Sequence, residues 1–124
     1  MAEKKKILLV DDDKISLSMV KNLLKEEYEI MTASSGNEAL AYYLKGQYPN
    51  LVLLDILMPN MNGWETYNRL KALSFLKDIP IAFLTSVDEE AQKYHAGEIG
   101  AVDFIAKPWD NEDLLERVKK ILER

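Results

Sequence analysis

Short apolar runs alternate with amphipathic stretches along the whole chain. The apolar runs predict β-strands at 6–11, 28–33, 51–55, 80–85 and 102–106. The spacing of apolar residues elsewhere predicts helices at 14–27, 36–47, 64–74, within 88–100 and at 111–124. Strands that alternate with helices over short connections form a parallel sheet covered by helices on both faces. We therefore predict an α/β domain.

The pattern also predicts which helix faces are apolar and where two helices begin. The first and last helices each carry an apolar face, formed by Ile15, Met19, Val20, Leu23 and Leu24, and by Leu114, Leu115, Val118, Ile121 and Leu122. Ser35, followed three residues later by Glu38, is typical of a capping box at the start of the second helix. Asn111 is the predicted N-cap of the last helix.

Composition limits the kinds of protein that this chain can be. With 124 residues, 48% of them hydrophobic and 30% charged, it has the size and balance of one globular domain, which we expect to span 1–124. The net charge of −5 argues against nucleic acid or an anionic membrane surface as a direct partner. No apolar run approaches the ~20 residues of a membrane span, so we expect a cytoplasmic protein.

The chain has no cysteine and a single histidine, His95. Thiol nucleophiles, disulfides and Cys-ligated metals are therefore excluded. A metal site must consist mainly of oxygen ligands, which favours magnesium or calcium over zinc or copper. His95 lies in a polar stretch where we expect it to be solvated, and for Trp64 and Trp109 we expect packing roles.

Polar residues stand where four of the predicted strands end. In chain order they are Asp11, Asp12 and Asp13, then Asp55, Thr85 and Lys107. The carboxyl ends of parallel strands share one crevice, in which ligands bind at the topological switch point. Taken singly, each residue also fits an ordinary role as a helix cap, a turn former or a solvated lysine. Carboxylates that converge on one crevice, however, repel one another unless a cation compensates.

This combination suits phosphoryl chemistry. Magnesium is typically bound by one or two carboxylates together with phosphate oxygens, and a lysine ammonium holds a further phosphoryl oxygen. A central carboxylate such as Asp55 is also able to accept a phosphoryl group covalently. Since no histidine base is nearby in the sequence, transfer would depend on positioning and electrostatics, which this chemistry permits.

Four motifs, LLVDDD, LLDILMPNMNG, LTS and FIAKP, occur in an order and spacing similar to those of the receiver domains of two-component response regulators. The resemblance covers nearly the whole chain. It implies a flavodoxin-like, three-layer α/β/α fold with strand order 2-1-3-4-5. It also implies a signalling switch and not an enzyme: a histidine kinase or histidine phosphotransfer protein phosphorylates Asp55, and the domain then acts on a downstream effector domain or protein.

The resemblance also implies a metal site. Asp12 and Asp55 would bind Mg²⁺ directly, Asp11 would act mostly through water, and the backbone carbonyl of Leu57 would supply another ligand. Mn²⁺ is a possible substitute. Asp13 has no catalytic counterpart, so we expect it to cap the first helix.

The phosphoryl-contacting and switch positions follow from the same resemblance. Thr85 and Lys107 match the pair that contacts the phosphoryl group, and the Lys107–Pro108 bond is usually cis in the family, as X–Pro bonds permit. Phe104 matches the aromatic switch position. The expected mechanism is that Thr85 moves toward the phosphoryl group and vacates space for the ring, although a plain core role is the alternative for Phe104.

Leu57 and Val87 stand two residues after Asp55 and Thr85, where other receivers carry polar side chains that assist the hydrolytic water. Apolar residues at both positions predict slow self-dephosphorylation.

Four charged residues match a face that pairs in the winged-helix branch of the family: Lys93, Asp103, Asp113 and Arg117. They motivate a hypothesis of homodimerisation on phosphorylation, with solvated surface charges as the alternative. The chain is either a stand-alone receiver or one excised from a longer regulator.

Two other functions share parts of the pattern. An aspartate-nucleophile phosphatase of the haloacid dehalogenase type also uses Asp and magnesium, but it needs a second Asp where Leu57 stands. A flavin-binding electron carrier shares the strand order but needs a Ser/Thr/Gly-rich phosphate loop after the first strand, where this chain has acids.

Overall fold

The computed structural model describes residues 3–73, 78–86 and 90–123, in which strands and helices alternate. The strands are β1 (Lys6–Val10), β2 (Glu29–Ala33), β3 (Leu51–Leu54), β4 (Ile81–Thr85) and β5 (Asp103–Ala106). The helices are α1 (Lys14–Leu24), α2 (Gly36–Leu44), α3 (Gly63–Leu73), α4 (Glu90–Glu98) and α5 (Asn111–Leu122). None of the helices in these ranges is long and apolar enough to cross a membrane.

The strands form one parallel sheet in the order β2-β1-β3-β4-β5. The predicted fold class and strand order are thus confirmed. Because β1 lies between β2 and β3, the chain leaves β1 toward one edge of the sheet and later continues from β3 toward the other. A crevice forms at the carboxyl ends of strands where the order reverses in this way.

Two apolar clusters cover the two faces of the sheet. Alternate residues of a strand point to opposite faces, so Leu8 and Val10 belong to one cluster and Ile7 and Leu9 to the other. The first cluster includes buried side chains of α2, α3 and α4, and the second those of α1 and α5. The central strands are therefore apolar on both faces, as predicted.

The predicted apolar face of α1 was wrong in part. Val20 and Leu24 are buried, but Ile15 is 72% exposed and Met19 is 55% exposed. At about 100° per residue, Ile15 and Met19 lie nearly opposite the core-facing side of α1, which Leu17 completes. All five predicted apolar residues of α5, by contrast, lie in the second cluster or pack against it.

The predicted helix ends differ from the structure for identifiable reasons. α2 ends at Leu44 instead of 47, because Gly46 adopts a left-handed φ of +76° and its N–H and that of Gln47 bond back to the helix in a Schellman motif. The N-cap of α5 is Asp110, whose carboxylate accepts a hydrogen bond from the Asp113 N–H, and Asn111 is the first helical residue.

The caps of α1 and α2 are closer to the predictions. Asp13 caps α1 by accepting a hydrogen bond from the Ile15 N–H at 3.0 Å. Ser35 caps α2 through the Glu38 N–H, as in a capping box, but the Glu38 carboxylate accepts from the N–H and hydroxyl of Ser34 and not from Ser35.

Candidate functional site

The ends of β1 and β3 bring two aspartates side by side at the crevice. Val10 pairs with Leu54 in the sheet, so the residues that follow, Asp11 and Asp55, stand at the same level. Their backbones are fixed by sheet-like hydrogen bonds, from the Asp11 N–H to the Ala33 carbonyl at 3.0 Å and from the Asp55 N–H to the Val10 carbonyl at 2.9 Å. Both carboxylates are therefore carried by the rigid centre of the sheet.

Three carboxylates converge at this point. One oxygen each of Asp11, Asp12 and Asp55 lies within 4.8 Å of the other two. Asp11 is 6% exposed and Asp55 is 7% exposed, whereas Asp12 faces solvent. Burial raises the pKa of the Asp11 carboxyl above its ordinary value, although hydrogen bonds from Lys107 and from the Asp13 N–H act in the opposite direction. Bringing these negative charges together in a buried place is therefore unfavourable, and a nearby cation reduces that cost.

Lys107 supplies one such cation from the opposite side of the crevice. Its ammonium pairs with Asp11 Oδ2 and lies 3.5 Å from Asp55 Oδ2. The side chain is 14% exposed, so the pair is largely shielded from water. The Lys107 N–H donates to the Thr85 carbonyl at 2.9 Å, and the Lys107–Pro108 peptide bond is cis.

Gly63 fixes the loop that follows Asp55, and sequence reasoning gave it no role. Its N–H donates to the Ile56 carbonyl at 2.8 Å. A Cβ at this position would lie 2.3 Å from the Asp55 carbonyl oxygen and 2.5 Å from the Ile56 Cα. Only glycine permits the start of α3 to approach the strand end so closely. The NG pair at 62–63 was the available signal, but the close approach itself depends on folding.

The side chain of Asp55 is oriented by the backbone that follows it. Asp55 Oδ1 accepts a hydrogen bond from the Ile56 N–H at 2.8 Å, which leaves Oδ2 directed toward Lys107. Leu57 is 60% exposed where the chain leaves the crevice, and Asn60, at φ 68°, reverses the loop before α3.

The two predicted switch residues lie on neighbouring strands. Thr85 is fully buried at the end of β4. Phe104 of β5 is partly buried and is the cross-strand neighbour of Phe83, with ring centroids 6.2 Å apart. Phe104 therefore packs on the first apolar cluster, in contact with a ring of β4.

Three of the four predicted dimer-face residues meet within one chain. The Arg117 guanidinium donates to Asp103 and to Asp113, both at 2.8 Å. The hydrogen bond with Asp103 is the main reason that the pKa of Arg117 is raised. Lys93 lies on α4 and is partly buried. Val87, which bears on the predicted phosphoryl lifetime, lies outside the described residues.

His95 is exposed, as expected of a solvated histidine, but its ring also contacts Trp64 edge-on, with centroids 4.7 Å apart. Trp64 packs in turn on Phe83, and the indole N–H of Trp109 donates to Asn111 Oδ1 at 2.9 Å. The sequence did not predict the contact between Trp64 and His95.

Known proteins resemble this chain over nearly all of its length. The probable transcriptional regulator ycf27 of Porphyra purpurea is 38% identical over 127 residues, which cover 98% of this chain and 49% of that protein. The alkaline phosphatase synthesis transcriptional regulatory protein PhoP of Bacillus subtilis is 37% identical over 121 residues, covering 97% and 49%. The structure of the Vibrio cholerae chemotaxis protein CheY4 matches with a TM-score of 0.87 at 32% identity, covering 97% of this chain and 100% of that one.

The chain thus spans about half the length of these two curated relatives. Residues 7–119 match the family model described as response regulator receiver domain. This match covers most of the chain, and the similarity to CheY4 extends over nearly the whole structure. The chain belongs to the receiver domains of two-component response regulators, which are signalling switches.

Proposed function

We propose that this receiver accepts a phosphoryl group on Asp55 from a histidine kinase or a histidine phosphotransfer protein in a Mg²⁺-dependent reaction. The observation that supports this most directly is the position of Asp55. A carboxylate oxygen of Asp55 lies within 4.8 Å of oxygens of Asp11 and Asp12, and the Lys107 ammonium lies 3.5 Å from Asp55 Oδ2. Asp55 is thus held in orientation by the Ile56 N–H and has a cation beside it.

The donor set fits magnesium. Asp11, Asp12 and Asp55 offer hard oxygen ligands within 4.8 Å of one another, and the exposure of Asp12 provides access from solvent. We assign Mg²⁺, or Mn²⁺ as a substitute, to these three residues and the backbone carbonyl of Leu57. When bound, the metal neutralises charge that develops on the phosphoryl oxygens.

The chain's own groups account for the transfer step. An oxygen of Asp55 forms a bond to phosphorus as the bond between phosphorus and the donor imidazole nitrogen breaks, and the imidazole leaves with the electron pair. The Ile56 N–H orients the nucleophile, while Lys107 and the hydroxyl of Thr85 hold phosphoryl oxygens. No proton has to leave Asp55, so no general base is required.

Thr85 and Phe104 then form the switch. Thr85 is buried and tied by its backbone carbonyl to Lys107, so a phosphoryl group held by Lys107 acts directly on the strand end that carries Thr85. A shift of Thr85 frees space for Phe104 to turn, which favours one of two conformations.

The donor docks on the apolar rim beside the crevice. Ile15 and Met19 of α1 are exposed, and Met19 lines a surface groove together with Pro108 and Trp109. A helix that presents a phosphohistidine would cover these side chains while its imidazole faces Asp55. The relatives named as transcriptional regulators are about twice as long as this chain, which supports an effector domain or effector protein as the recipient of the signal.

Incubation with Mg²⁺ and acetyl phosphate, followed by intact-mass spectrometry, tests the proposal. We expect one phosphoryl adduct per wild-type chain and none on Asp55→Asn. Asp13→Asn is the matched control: asparagine keeps the cap of α1, so the adduct should persist. A wild type without an adduct, or an undiminished adduct on Asp55→Asn, contradicts the proposal. Sustained turnover of a phosphate ester would instead favour the phosphatase.

A further inference from the structure

α4 has few apolar anchors of its own. Of its side chains described by the structure, those at 92–98, only Ala96 is buried. Tyr94 is 71% exposed, and the remaining side chains are polar or small. The position of α4 therefore depends on contacts that side chains of other elements make with it.

Two aromatic side chains of α3 make that connection. The Trp64 ring meets His95 of α4 edge-on, with centroids 4.7 Å apart and the planes at 72°. The Tyr67 hydroxyl donates to the Ile99 carbonyl, just after the end of α4, at 2.9 Å. Trp64 and Tyr67 are three residues apart and so share one face of α3. The C-terminal half of α4 is thus held at two points, His95 and Ile99, by one face of α3.

The same two rings pack against Phe83, the middle residue of β4. Phe83 is fully buried, 4.8 Å from Trp64 and 5.7 Å from Tyr67 between ring centroids. Its remaining aromatic contact in the described chain is Phe104, at 6.2 Å. A continuous series of ring contacts therefore runs from Phe104 through Phe83 and Trp64 to His95.

We propose that Trp64 and His95 form a latch that fastens α4 to α3, and that Phe83 couples this latch to Phe104. The inference rests on the proposed function, because it takes Phe104 as the moving part. A close-packed interior adopts discrete arrangements and does not deform continuously. When Phe104 turns, Phe83 loses one of its supports, Trp64 shifts with it and the edge contact with His95 opens. α4 is released, and the surface that carries Tyr94 changes.

His95 is in this scheme a positioning residue, not a catalytic one. Its contact with Trp64 is at the surface, so replacing it leaves the core intact. As the only histidine of the chain, it also gives a single set of imidazole signals in an NMR spectrum. Those signals report the ring current of Trp64 without assignment of any other residue.

Hydrogen exchange of the α4 amides tests the latch in the whole chain. In the resting protein, His95→Ala should speed exchange in α4 by about two- to tenfold, the factor that corresponds to one aromatic pair. Tyr94→Ala, a neighbouring exposed substitution on the same helix, should leave it unchanged. Beryllofluoride with Mg²⁺, a mimic of the phosphoryl group, should speed exchange in the wild type and add little in His95→Ala.

The coupling to the switch is tested separately. Activation should shift the imidazole signals of His95 in the wild type, and Phe104→Leu should abolish that shift while ¹⁹F NMR still shows bound beryllofluoride. The latch is disproved if the fluoride complex binds and the His95 signals do not move, or if His95→Ala exchanges like the wild type. If the fluoride complex does not bind to the wild type at all, the proposed function itself fails.

Discussion

Lys107 serves two buried carboxylates at once: its ammonium pairs with Asp11 and lies 3.5 Å from Asp55 Oδ2. A lysine so placed compensates the same negative charge that a bound metal would compensate. Because both cations act on the same carboxylates, we expect each to weaken the effect of the other.

Lys107→Met should consequently destabilise the metal-free protein and increase the stabilisation that Mg²⁺ provides. Methionine keeps the aliphatic stem but leaves two carboxylates unpaired, which lowers the free energy of unfolding by up to about 3 kcal/mol. Urea unfolding with a chelator and with saturating Mg²⁺ measures both effects. Lys120→Met, which removes only an exposed pair with Glu116, should leave the Mg²⁺ response unchanged. An equal Mg²⁺ response in Lys107→Met and the wild type would contradict this expectation.

Gly63→Ala should displace the backbone of Asp55. The added Cβ would meet the backbone of Asp55 and Ile56 at 2.3 and 2.5 Å, and hydrogen bonds just beyond the end of β3 leave these backbone atoms little room to shift. We expect a loss of about 1–3 kcal/mol in unfolding free energy, as for other overpacked sites, together with slower phosphorylation by acetyl phosphate. Gly97→Ala is the control, because its Cβ would meet nothing within 4 Å. If Gly63→Ala unfolds and reacts like the wild type, the close approach does not constrain Asp55.

These residues illustrate what the sequence was able to predict. The convergence of Asp11, Asp55 and Lys107 was predictable because the carboxyl ends of parallel strands must share one edge of the sheet. The close approach of Gly63 was not, since it depends on how α3 meets the end of β3 in three dimensions.

The exposed side of α1 was missed for a different reason. Ile15 is apolar, and periodicity alone treats every apolar residue as part of the core. Exposed apolar side chains beside a polar crevice, such as Ile15 and Met19, instead form a surface on which another protein can bind.

A paired substitution tests that contact. Ile15→Ala combined with Met19→Ala should leave phosphorylation by acetyl phosphate and the unfolding free energy nearly unchanged, because both side chains are more than half exposed. Transfer from a phosphorylated histidine donor should slow by about tenfold or more, as at an interface where truncating an anchor costs over ~1.4 kcal/mol. Leu44→Ala, at a residue 73% exposed on α2, is the control and should transfer normally. Equal transfer rates for all three proteins would place the donor elsewhere.

The lifetime of the phosphoryl group should depend on Leu57. Its side chain is 60% exposed at the crevice and offers nothing to orient water for attack on the acyl phosphate. We expect slow self-dephosphorylation in the wild type, and Leu57→Asn should speed it by up to about a hundredfold, the lower end of what a positioned polar group contributes. Decay of the phosphorylated mass after removal of acetyl phosphate measures the rate, with Leu44→Asn as the control. A wild-type half-life of seconds would be incompatible with this role.

Arg117 is the residue on which the hypothesis of a phosphorylation-promoted dimer depends. Its guanidinium already bonds Asp103 and Asp113 of its own chain, so a dimer that uses these charges must exchange internal ion pairs for equivalent pairs between chains. Because surface ion pairs contribute only about 0–1 kcal/mol each, this exchange is nearly neutral, and a small change in the geometry of the face suffices to favour it. Light scattering with beryllofluoride and Mg²⁺ should show a wild-type dimer that weakens at high salt, a monomeric Arg117→Ala and a dimeric Lys120→Ala. A wild type that stays monomeric at high concentration under these conditions would show that Arg117 serves its own chain alone.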